Sequence, residues 1–268
     1  MIDLSKATFI IPIRIESQDR LRNVITTTAF LLENFKTNII IKEVDSQSVW
    51  TRDAVPILKD ILSVPLDVNV IFELSHEPLF HRQKVLNEMI MEADTEVVVN
   101  YDCDAILPIE SYKEAYDMIM NRQADVVYPY GQGQYQYRVF ADDDTVSKFL
   151  ETYDYQHLID KSKRHDSDFG WVQFFRRDVY IEGGMENENF KAYAPEDKER
   201  FYRYNTLGYN VGRINSDIYH LEHARGENSW FSNPHMQANM ALWDVLSKMN
   251  KDQLKEYYSR QPYLKKYK

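Results

Sequence analysis

The 268-residue chain is predicted to be a single α/β domain built around a parallel β-sheet. In its first hundred or so residues, short runs of branched apolar residues alternate four times with segments of helical periodicity. Such alternation at short spacing is typical of parallel strands joined by right-handed helical crossovers. The sequence shows no repeat, low-complexity segment or linker, which favours one domain over two.

The amino-terminal half, residues 1–108, contains the regular alternation. Its strands are apolar runs that end at Asp or Pro, and its helices repeat apolar residues every three or four positions. Ser17 and Asp19 are suited to cap the first helix. The predicted strands are residues 7–13, 38–44, 68–74 and the run that begins at residue 96, and the predicted helices are residues 17–35, 51–62 and 80–93.

The second half, residues 109–268, is less regular. We expect residues 180–194 to form a loop, and residues 131–170 to be irregular apart from one helix at 146–158. The other predicted helices are residues 109–121, 195–207 and one long helix at 234–258, and the predicted strands are residues 125–130, 171–175, 211–214 and 218–221.

Composition and charge exclude several classes of protein. The net charge of −10 argues against a nucleic-acid partner, because nucleic-acid-binding proteins present a basic face. The single cysteine, Cys103, excludes an internal disulfide and a Cys-based zinc cluster, and it fits a reducing compartment. The sequence has neither a signal-peptide pattern nor a run of about 20 apolar residues. We therefore expect a cytoplasmic location.

Residues 96–108 are the segment around which the chain is organised. Three valines lead into Asp102 and Asp104. Open α/β sheets bind ligands beyond the carboxyl ends of their strands, where two such carboxylates can face a hard cation and a diphosphate. The alternative is a pair of turn aspartates, since Asp is common in turns. The acidic run at residues 142–144 follows no apolar strand, and we interpret it as an exposed turn.

Five short segments occur in order over about residues 7–230 and resemble those of one enzyme family. They are PIR (12–14), FHRQKVLN (80–87), DCD (102–104), YAPEDKERFYR (193–203) and IYHLEHAR (218–225). The sequence is similar to the GT-A glycosyltransferases, and more narrowly to inverting, metal-dependent enzymes of the β4-galactosyltransferase and chondroitin-polymerase type. Ala194 and Pro195 stand where that family has glycines, and His81 stands in place of an Asn.

The resemblance implies both a fold and a function. The GT-A fold joins a Rossmann-like nucleotide-binding half with a mixed central sheet to a smaller acceptor-binding half. The implied reaction moves a hexose of the Gal, GalNAc or Glc type from a UDP-sugar to a glycan or lipid-linked acceptor in polysaccharide biosynthesis, with Mn²⁺ or Mg²⁺ as cofactor. The alternatives are a sugar-nucleotide-binding protein without transferase activity, and a nucleotidyltransferase. The latter would need a glycine-rich loop after the first strand, and residues 12–20 contain no glycine.

The resemblance also implies a metal site. Asp104 is expected to bind the ion directly, and Asp102 to contact it through water or to contact the ribose. His220 and His223 both match the place of the family's late histidine ligand, so one or both are expected to complete the site. An imidazole suits a borderline ion such as Mn²⁺ better than it suits Mg²⁺.

Two acidic residues are implied as the catalytic pair. Inversion needs a base on the acceptor hydroxyl, and the resemblance gives this role to Asp197, with Glu196 beside it to hold an acceptor hydroxyl. The alternative is helix capping, because acidic residues favour the first turn of a helix.

The expected contacts to the nucleotide sugar come from both halves. Arg14, Arg82 and Lys84 could meet phosphate oxygens, although each could also be an ordinary surface charge. Asp45 could hold uracil or ribose, or be a turn residue. The full set is Pro12, Arg14, Asp45, Phe80, Arg82, Lys84, Asn87, Asp102, Cys103, Gly170 and Trp171.

Three further segments carry weaker predictions. The charged loop at residues 161–168, with Gly170 and Trp171 after it, and the glycine pair at 183–184 are candidates for a lid over the bound donor. The tail at residues 257–268 alternates aromatic rings with cations. It could contact an anionic membrane surface, or be a solvated terminus.

Overall fold

A computed structural model describes residues 1–165, 169–226 and 229–267, and it has a mixed α/β architecture with two sheets. Residues 166–168 of the predicted lid loop lie outside the described residues. The strands are β1 (Ile2–Ile13), β2 (Phe35–Asp45), β3 (Asn69–Leu74), β4 (Val97–Tyr101), β5 (Ala105–Ile106), β6 (Val126–Tyr128), β7 (Gln136–Val139), β8 (Ser162–Arg164), β9 (Val172–Arg176), β10 (Val211–Arg213) and β11 (Ile218–Leu221). The helices are α1 (Gln18–Asn34), α2 (Val55–Ile61), α3 (Arg82–Glu92), α4 (Ile109–Met120), α5 (Asp143–Thr152), α6 (Gln156–Ile159), α7 (Arg177–Glu182), α8 (Glu196–Leu207), α9 (Met236–Leu246) and α10 (Lys251–Ser259).

The central sheet has seven strands in the order β10-β6-β9-β4-β1-β2-β3. Strands β1 to β4 pair in parallel, as the alternation of the amino-terminal half predicts. Strand β9 runs antiparallel to both β4 and β6, which makes the sheet mixed. Strand β4 lies near the centre, and its three valines are completely buried. The aspartates that follow β4 therefore emerge from the middle of the sheet.

The second sheet has four strands in the order β5-β11-β7-β8. The two-residue strand β5 follows directly after Asp104 and pairs antiparallel with β11, so that His220 lies opposite Ala105. In addition, the backbone N–H of Leu221 donates a 2.7 Å hydrogen bond to the carbonyl of Asp104. This pairing brings the late histidine segment against the aspartate turn.

Several predicted elements are wrong in detail. The region 131–170 contains strands β7 and β8, which are short and polar and therefore lack an apolar signal. The helix expected at residues 146–158 is two helices, because Tyr153 adopts a left-handed conformation with φ 51°. The acidic run at 142–144 opens α5, and Asp142 caps it by accepting from the backbone N–H of Thr145. The loop expected at 180–194 begins inside α7.

The long carboxy-terminal helix predicted at residues 234–258 is instead the pair α9 and α10. The break falls before Asn250, whose side chain accepts from the N–H of Gln253 while the Gln253 side chain accepts from the N–H of Asn250. This reciprocal capping box fixes a new helix start, and it outweighs the continuous apolar pattern on which the single helix was predicted.

The carboxy-terminal tail packs against the protein. Tyr258 and Tyr263 are buried, and the Tyr267 hydroxyl donates a 2.9 Å hydrogen bond to Glu188. The rings of the tail therefore take part in internal packing, with the cations of Lys265 and Lys266 remaining outside. Within the described residues, no helix has the length and apolar character needed to cross a membrane.

We predict that Asn250→Ala destabilises the protein by about 1 kcal/mol, because the first turn of α10 loses its N-cap acceptor. Urea unfolding of wild type and variant measures the change. Lys248→Ala, on the exposed turn just before the cap, is the matched control and should change stability much less. Equal midpoints for wild type and Asn250→Ala would contradict the role given to the capping box.

Candidate metal centre and active site

Asp104, His220 and His223 form a buried cluster where the two sheets meet. The Nε2 atoms of His220 and His223 lie 3.5 Å and 3.3 Å from the two carboxylate oxygens of Asp104. One ligand atom from each residue can be chosen so that all three lie within 4.8 Å of one another. Among the residues that the structure describes, this is the one such group of three found. The structure thus brings together the predicted aspartate and both candidate histidines.

Hydrogen bonds orient both imidazoles toward Asp104. Nδ1 of His220 lies 3.0 Å from Glu222, and Nδ1 of His223 lies 2.8 Å from the carbonyl of Ala224. An acceptor at Nδ1 holds the proton there and leaves Nε2 free to bind a metal, the usual arrangement of metal-ligating histidines. Glu222 is itself fixed by two hydrogen bonds from Arg138, of 2.6 and 2.8 Å.

Asn23 and Thr27 of helix α1 support the aspartate turn (residues 102–104) and strand β11. The two residues lie one helical turn apart. Thr27 donates a 2.9 Å hydrogen bond to the carbonyl of Cys103, and Asn23 donates one of 2.7 Å to the carbonyl of Leu221. Both side chains are completely buried. One helix face therefore positions both the aspartate turn and the histidine strand.

The charges of the cluster favour a cation. Burial opposes ionisation of Asp104, yet the nearby imidazoles of His220 and His223 hold the pKa of Asp104 well below its usual range. Burial likewise opposes protonation of His220, but the negative charge of Asp104 raises the pKa of His220 to about 9. Asp104 Oδ1 is buried and has no hydrogen-bond partner, which is unusual for a carboxylate. An anionic oxygen and two imidazole nitrogens are a donor set suited to Mn²⁺.

Asp102 lies beside the cluster and faces a different partner. Its carboxylate accepts a 2.5 Å hydrogen bond from Arg82, and its backbone N–H donates one of 2.9 Å to the carbonyl of Trp171. Trp171 has a left-handed backbone with φ 68°, a conformation that costs energy in residues other than Gly and is common at functional sites. Its ring centroid lies 5.9 Å from that of His220.

A buried polar network connects Asp102 to Asp197. Arg82 also contacts Asn100 at 3.2 Å, and Asn100 donates a 3.1 Å hydrogen bond to Gln173. The same Gln173 oxygen accepts a 3.0 Å hydrogen bond from Arg200, which in turn donates one of 2.9 Å to Asp197. Arg200 also donates two 2.8 Å hydrogen bonds to the buried Glu186. The network joins residues of α3, β4, β9 and α8.

Glu196 and Asp197 begin α8 and have different surroundings. Asp197 is about one-third exposed (32%) and paired with Arg200, whereas Glu196 is 9% exposed and its Oε2 has no hydrogen-bond partner. Burial and the charge of Asp197 raise the pKa of Glu196 well above its usual range. Burial also raises the pKa of Asp197, but the charges of Arg200 and Arg82 oppose this shift.

Gly170 approaches Asp197 closely. A Cβ atom at Gly170 would lie 3.2 Å from Asp197 Oδ2, so a larger residue would crowd the carboxylate. The carbonyl of Gly170 accepts hydrogen bonds from Tyr130 (2.5 Å) and Gln173 (2.7 Å). Gly183 and Gly184, the other lid candidates, are buried against the rings of Tyr204 and Tyr258, which indicates a packing role.

The predicted contacts in β1 and β2 lie near the ends of these strands. Arg14 donates to the carbonyls of Val44, Glu77 and Pro78, and its guanidinium lies 5.5 Å from the centre of the Phe80 ring. Pro12 is buried in β1. Asp45 ends β2 and accepts a 2.6 Å hydrogen bond from the N–H of Ser46.

The predicted residues of α3 and of the aspartate turn have internal partners. Lys84 is 40% exposed and lies 3.7 Å from Glu73 and 3.5 Å from Glu88. Asn87 is completely buried and holds the backbone of Glu186 through hydrogen bonds of 2.8 and 3.0 Å. Burial raises the pKa of the Cys103 thiol.

Sequence reasoning missed the supporting residues of the site. Glu222 lies inside the IYHLEHAR segment, where a carboxylate two positions after His220 was a usable signal. Arg200 follows Asp197 by three positions, the spacing of an ion pair on a helix surface. No local pattern marks the others, because their partners are distant in sequence. These residues are Asn23, Thr27, Asn100, Arg138, Gln173 and Glu186.

Comparisons with known proteins identify the fold. No protein-family model matches the chain, and no curated protein sequence is significantly similar to it. Among solved structures, the mannosyltransferase PcManGT from Pyrobaculum calidifontis, in complex with GDP-Man and Mn²⁺, has a TM-score of 0.56 at 15% identity, over 97% of this chain and 69% of that one. The structure of S. aureus TarS 1–349 has a TM-score of 0.52 at 14% identity, and the match covers 92% of this chain and 68% of that one. The structure of GalNAc-T7 with UDP, GalNAc and Mn²⁺ has a TM-score of 0.56 at 15% identity, and the match covers 97% of this chain and 53% of that one.

These similarities, together with the mixed seven-stranded sheet, show that the chain has the GT-A fold of glycosyltransferases. The expected fold class is confirmed. The narrower resemblance to the β4-galactosyltransferase and chondroitin-polymerase type stays a prediction.

We predict that Mn²⁺ binds more tightly as pH rises. The pKa of His220 is about 9, above the ordinary histidine value, so at lower pH a proton must leave before Nε2 can bind the ion. The apparent affinity should then rise by about tenfold per pH unit between pH 6 and 8, and level off above pH 9. Isothermal titration calorimetry measures it.

His157→Ala, outside the ligand cluster, should reproduce the wild-type pH dependence, whereas His220→Ala should lose most of the affinity. Wild-type Mn²⁺ affinity that is constant from pH 6 to pH 8 would contradict the assignment.

Proposed function

We propose that the protein is a metal-dependent, inverting glycosyltransferase that moves a hexose of the Gal, GalNAc or Glc type from a UDP-sugar to a glycan or lipid-linked acceptor. One observation carries the proposal. A continuous hydrogen-bond network with a buried centre runs from Asp102, two residues before Asp104 of the candidate metal cluster, to Asp197. The carboxylates at both of its ends remain partly exposed. A cation site and a partly exposed carboxylate held in one framework suit displacement of a nucleoside diphosphate by a hydroxyl.

Asp104, His220 and His223 would hold the ion. A bound Mn²⁺ supplies Lewis-acid neutralisation of the charge that develops on the departing diphosphate. The chain's own contribution is to fix the ligands, through Glu222 behind His220 and through Thr27 behind the aspartate turn. Asp102, kept in place by Arg82, is left to contact the ribose or to reach the ion through water.

The two acidic residues at the start of α8 have different surroundings, and we assign them different roles. Arg200 and Arg82 favour the ionised form of Asp197, so Asp197 is the member of the pair suited to accept a proton from the acceptor hydroxyl. The same two arginines act on Glu196, but burial and the charge of Asp197 outweigh them and raise the pKa of Glu196 well above its usual range. Glu196 therefore retains its proton more readily, which suits it to hold an acceptor hydroxyl by hydrogen bonding. Neighbouring carboxyl groups whose environments separate their pKa values commonly divide acid and base roles in this way.

The donor would lie along the carboxyl ends of β1, β2 and β4, where GT-A proteins and other open α/β sheets bind ligands. Pro12, Arg14 and Asp45 lie at or directly after the ends of the first two strands, and the guanidinium of Arg14 contacts the Phe80 ring at 5.5 Å. Two of the similar structures contain different nucleotides, GDP-Man in one and UDP in the other. We therefore propose UDP and the type of hexose from the motif resemblance.

We predict that Asp197→Asn lowers the rate of sugar transfer by about 10²–10⁴-fold, because the acceptor hydroxyl loses its base. Binding of UDP with Mn²⁺ should stay within a few-fold of wild type. The assay measures Mn²⁺-dependent UDP release from a panel of UDP-sugars, with and without candidate saccharide acceptors. Asp144→Asn, an exposed carboxylate on α5, is the control. A near wild-type transfer rate for Asp197→Asn would leave Asp197 with a structural role only, as the partner of Arg200.

A further inference from the structure

Three aromatic side chains form an exposed cluster beside the candidate active site. Tyr193, Trp230 and Phe231 are 37%, 48% and 61% exposed. The ring of Phe231 lies 4.8 Å from that of Tyr193 and 5.6 Å from that of Trp230, in edge-to-face arrangements. We call these three residues the aromatic shelf.

Buried amide side chains hold the backbone of the shelf in place. Asn233, which is 4% exposed, donates hydrogen bonds of 3.0 Å to the carbonyl of Tyr193 and 2.8 Å to that of Trp230. Asn239, which is 2% exposed, donates one of 3.3 Å to the carbonyl of Tyr193. The two segments that supply the shelf are therefore fastened to each other. An aromatic surface held in this way is preorganised for a ligand.

The shelf residues lie close in sequence to both parts of the candidate active site, the acidic start of α8 and the metal cluster. Tyr193 precedes Glu196 by three residues, and Trp230 follows His223 by seven. Between His223 and the shelf lies Arg225, which lines a cavity of about 230 Å³ together with Gly226, Trp230 and Ser232. Arg225 also lies 3.7 Å from Glu222, the carboxylate that contacts His220, so the cavity adjoins the metal cluster. Burial and the negative charges of the α8 carboxyl groups raise the pKa of the Tyr193 hydroxyl, and the charge of Arg225 opposes the shift.

Glu196 needs a hydrogen-bond donor from a ligand that binds beside the aromatic shelf. Its Oε2 atom is buried without a hydrogen-bond partner, and an unmet carboxyl oxygen costs free energy until a donor reaches it. A purely apolar partner on the shelf would supply no such donor. A ligand with both a flat apolar face and hydroxyl groups at its edge would satisfy the rings and the carboxyl group together.

We propose that the aromatic shelf is the acceptor subsite, and that it takes a pyranose residue of a saccharide chain. The sugar packs in the angle between the two rings, with its flat face on Trp230 and its edge against Phe231. A hydroxyl of the sugar donates to Glu196, and Arg225 lies at the cavity edge. The inference rests on the proposed function, and it narrows the acceptor from any glycan or lipid carrier to one recognised through its sugar.

The test uses the full chain with UDP and Mn²⁺ on a printed saccharide array. We expect wild type to bind at least one family of saccharides. Trp230→Ala and Phe231→Ala should each weaken that binding by about tenfold, since losing a well-placed ring contact costs roughly this factor, and the double variant should abolish it. Trp230→Phe, which keeps a ring, should retain most of the binding. Thermal unfolding confirms that the variants are folded.

Phe72→Ala is the matched control, because Phe72 is an exposed ring (41%) on β3 at the far edge of the central sheet, and it should bind the array like wild type. Binding of UDP with Mn²⁺ is titrated for every variant and should equal that of wild type. This titration separates loss of the acceptor subsite from damage to the donor site.

The inference is overturned if wild type binds no saccharide, or if the double variant binds the same saccharides as wild type. Shelf-dependent binding to phosphatidylglycerol vesicles, without saccharide binding, would overturn it in favour of a membrane surface. If saccharides bind through the shelf but the wild type neither binds UDP with Mn²⁺ nor hydrolyses any UDP-sugar, the proposed transferase function fails and the shelf stands as a sugar-binding site.

Discussion

The candidate active site depends on the pairing of β5 with β11. This short antiparallel contact, reinforced by the hydrogen bond from the Leu221 N–H to the Asp104 carbonyl, joins the end of the central sheet to the second sheet. It places His220 and His223 against Asp104, although more than a hundred residues separate them in sequence. Asn23 and Thr27 fix both partners of the pairing from one face of α1. Loss of this contact would separate the histidines from the aspartate.

The candidate active site also contains buried ionisable groups, and a buried charge is costly unless it is paired. Arg200 and Glu186 are each about 1% exposed, and they form a bidentate ion pair. Such pairs repay the cost of desolvation only when their geometry is good and their remaining polar atoms are satisfied. Arg200 meets this condition by also donating to Gln173 and Asp197. Asp104 Oδ1 and Glu196 Oε2 stay unsatisfied, and these two oxygens lie where the cation and the acceptor are proposed to bind.

Much of the fold and part of the site could be predicted from the sequence. The buried valines of β4, the DCD turn after them and the alternating amino-terminal elements carry strong local signals, and the order of the short segments identified the GT-A fold. The misses have a common cause. Strands β7 and β8 are polar and exist through pairing with distant residues, and the break before α10 depends on a capping box within an apolar pattern. The network from Arg82 to Arg200 spans four elements, and no local spacing encodes it.

The central claim is that Asp104, His220 and His223 bind one divalent cation. Anomalous diffraction at the manganese edge, from crystals grown with Mn²⁺ and UDP, tests it most directly. We expect one strong peak within about 2.3 Å of a carboxylate oxygen of Asp104 and of Nε2 of at least one histidine, since Mn²⁺ takes oxygen and imidazole ligands at such distances. The peak should be absent from crystals of Asp104→Ala. A peak at the acidic start of α5, or none near Asp104, would contradict the account.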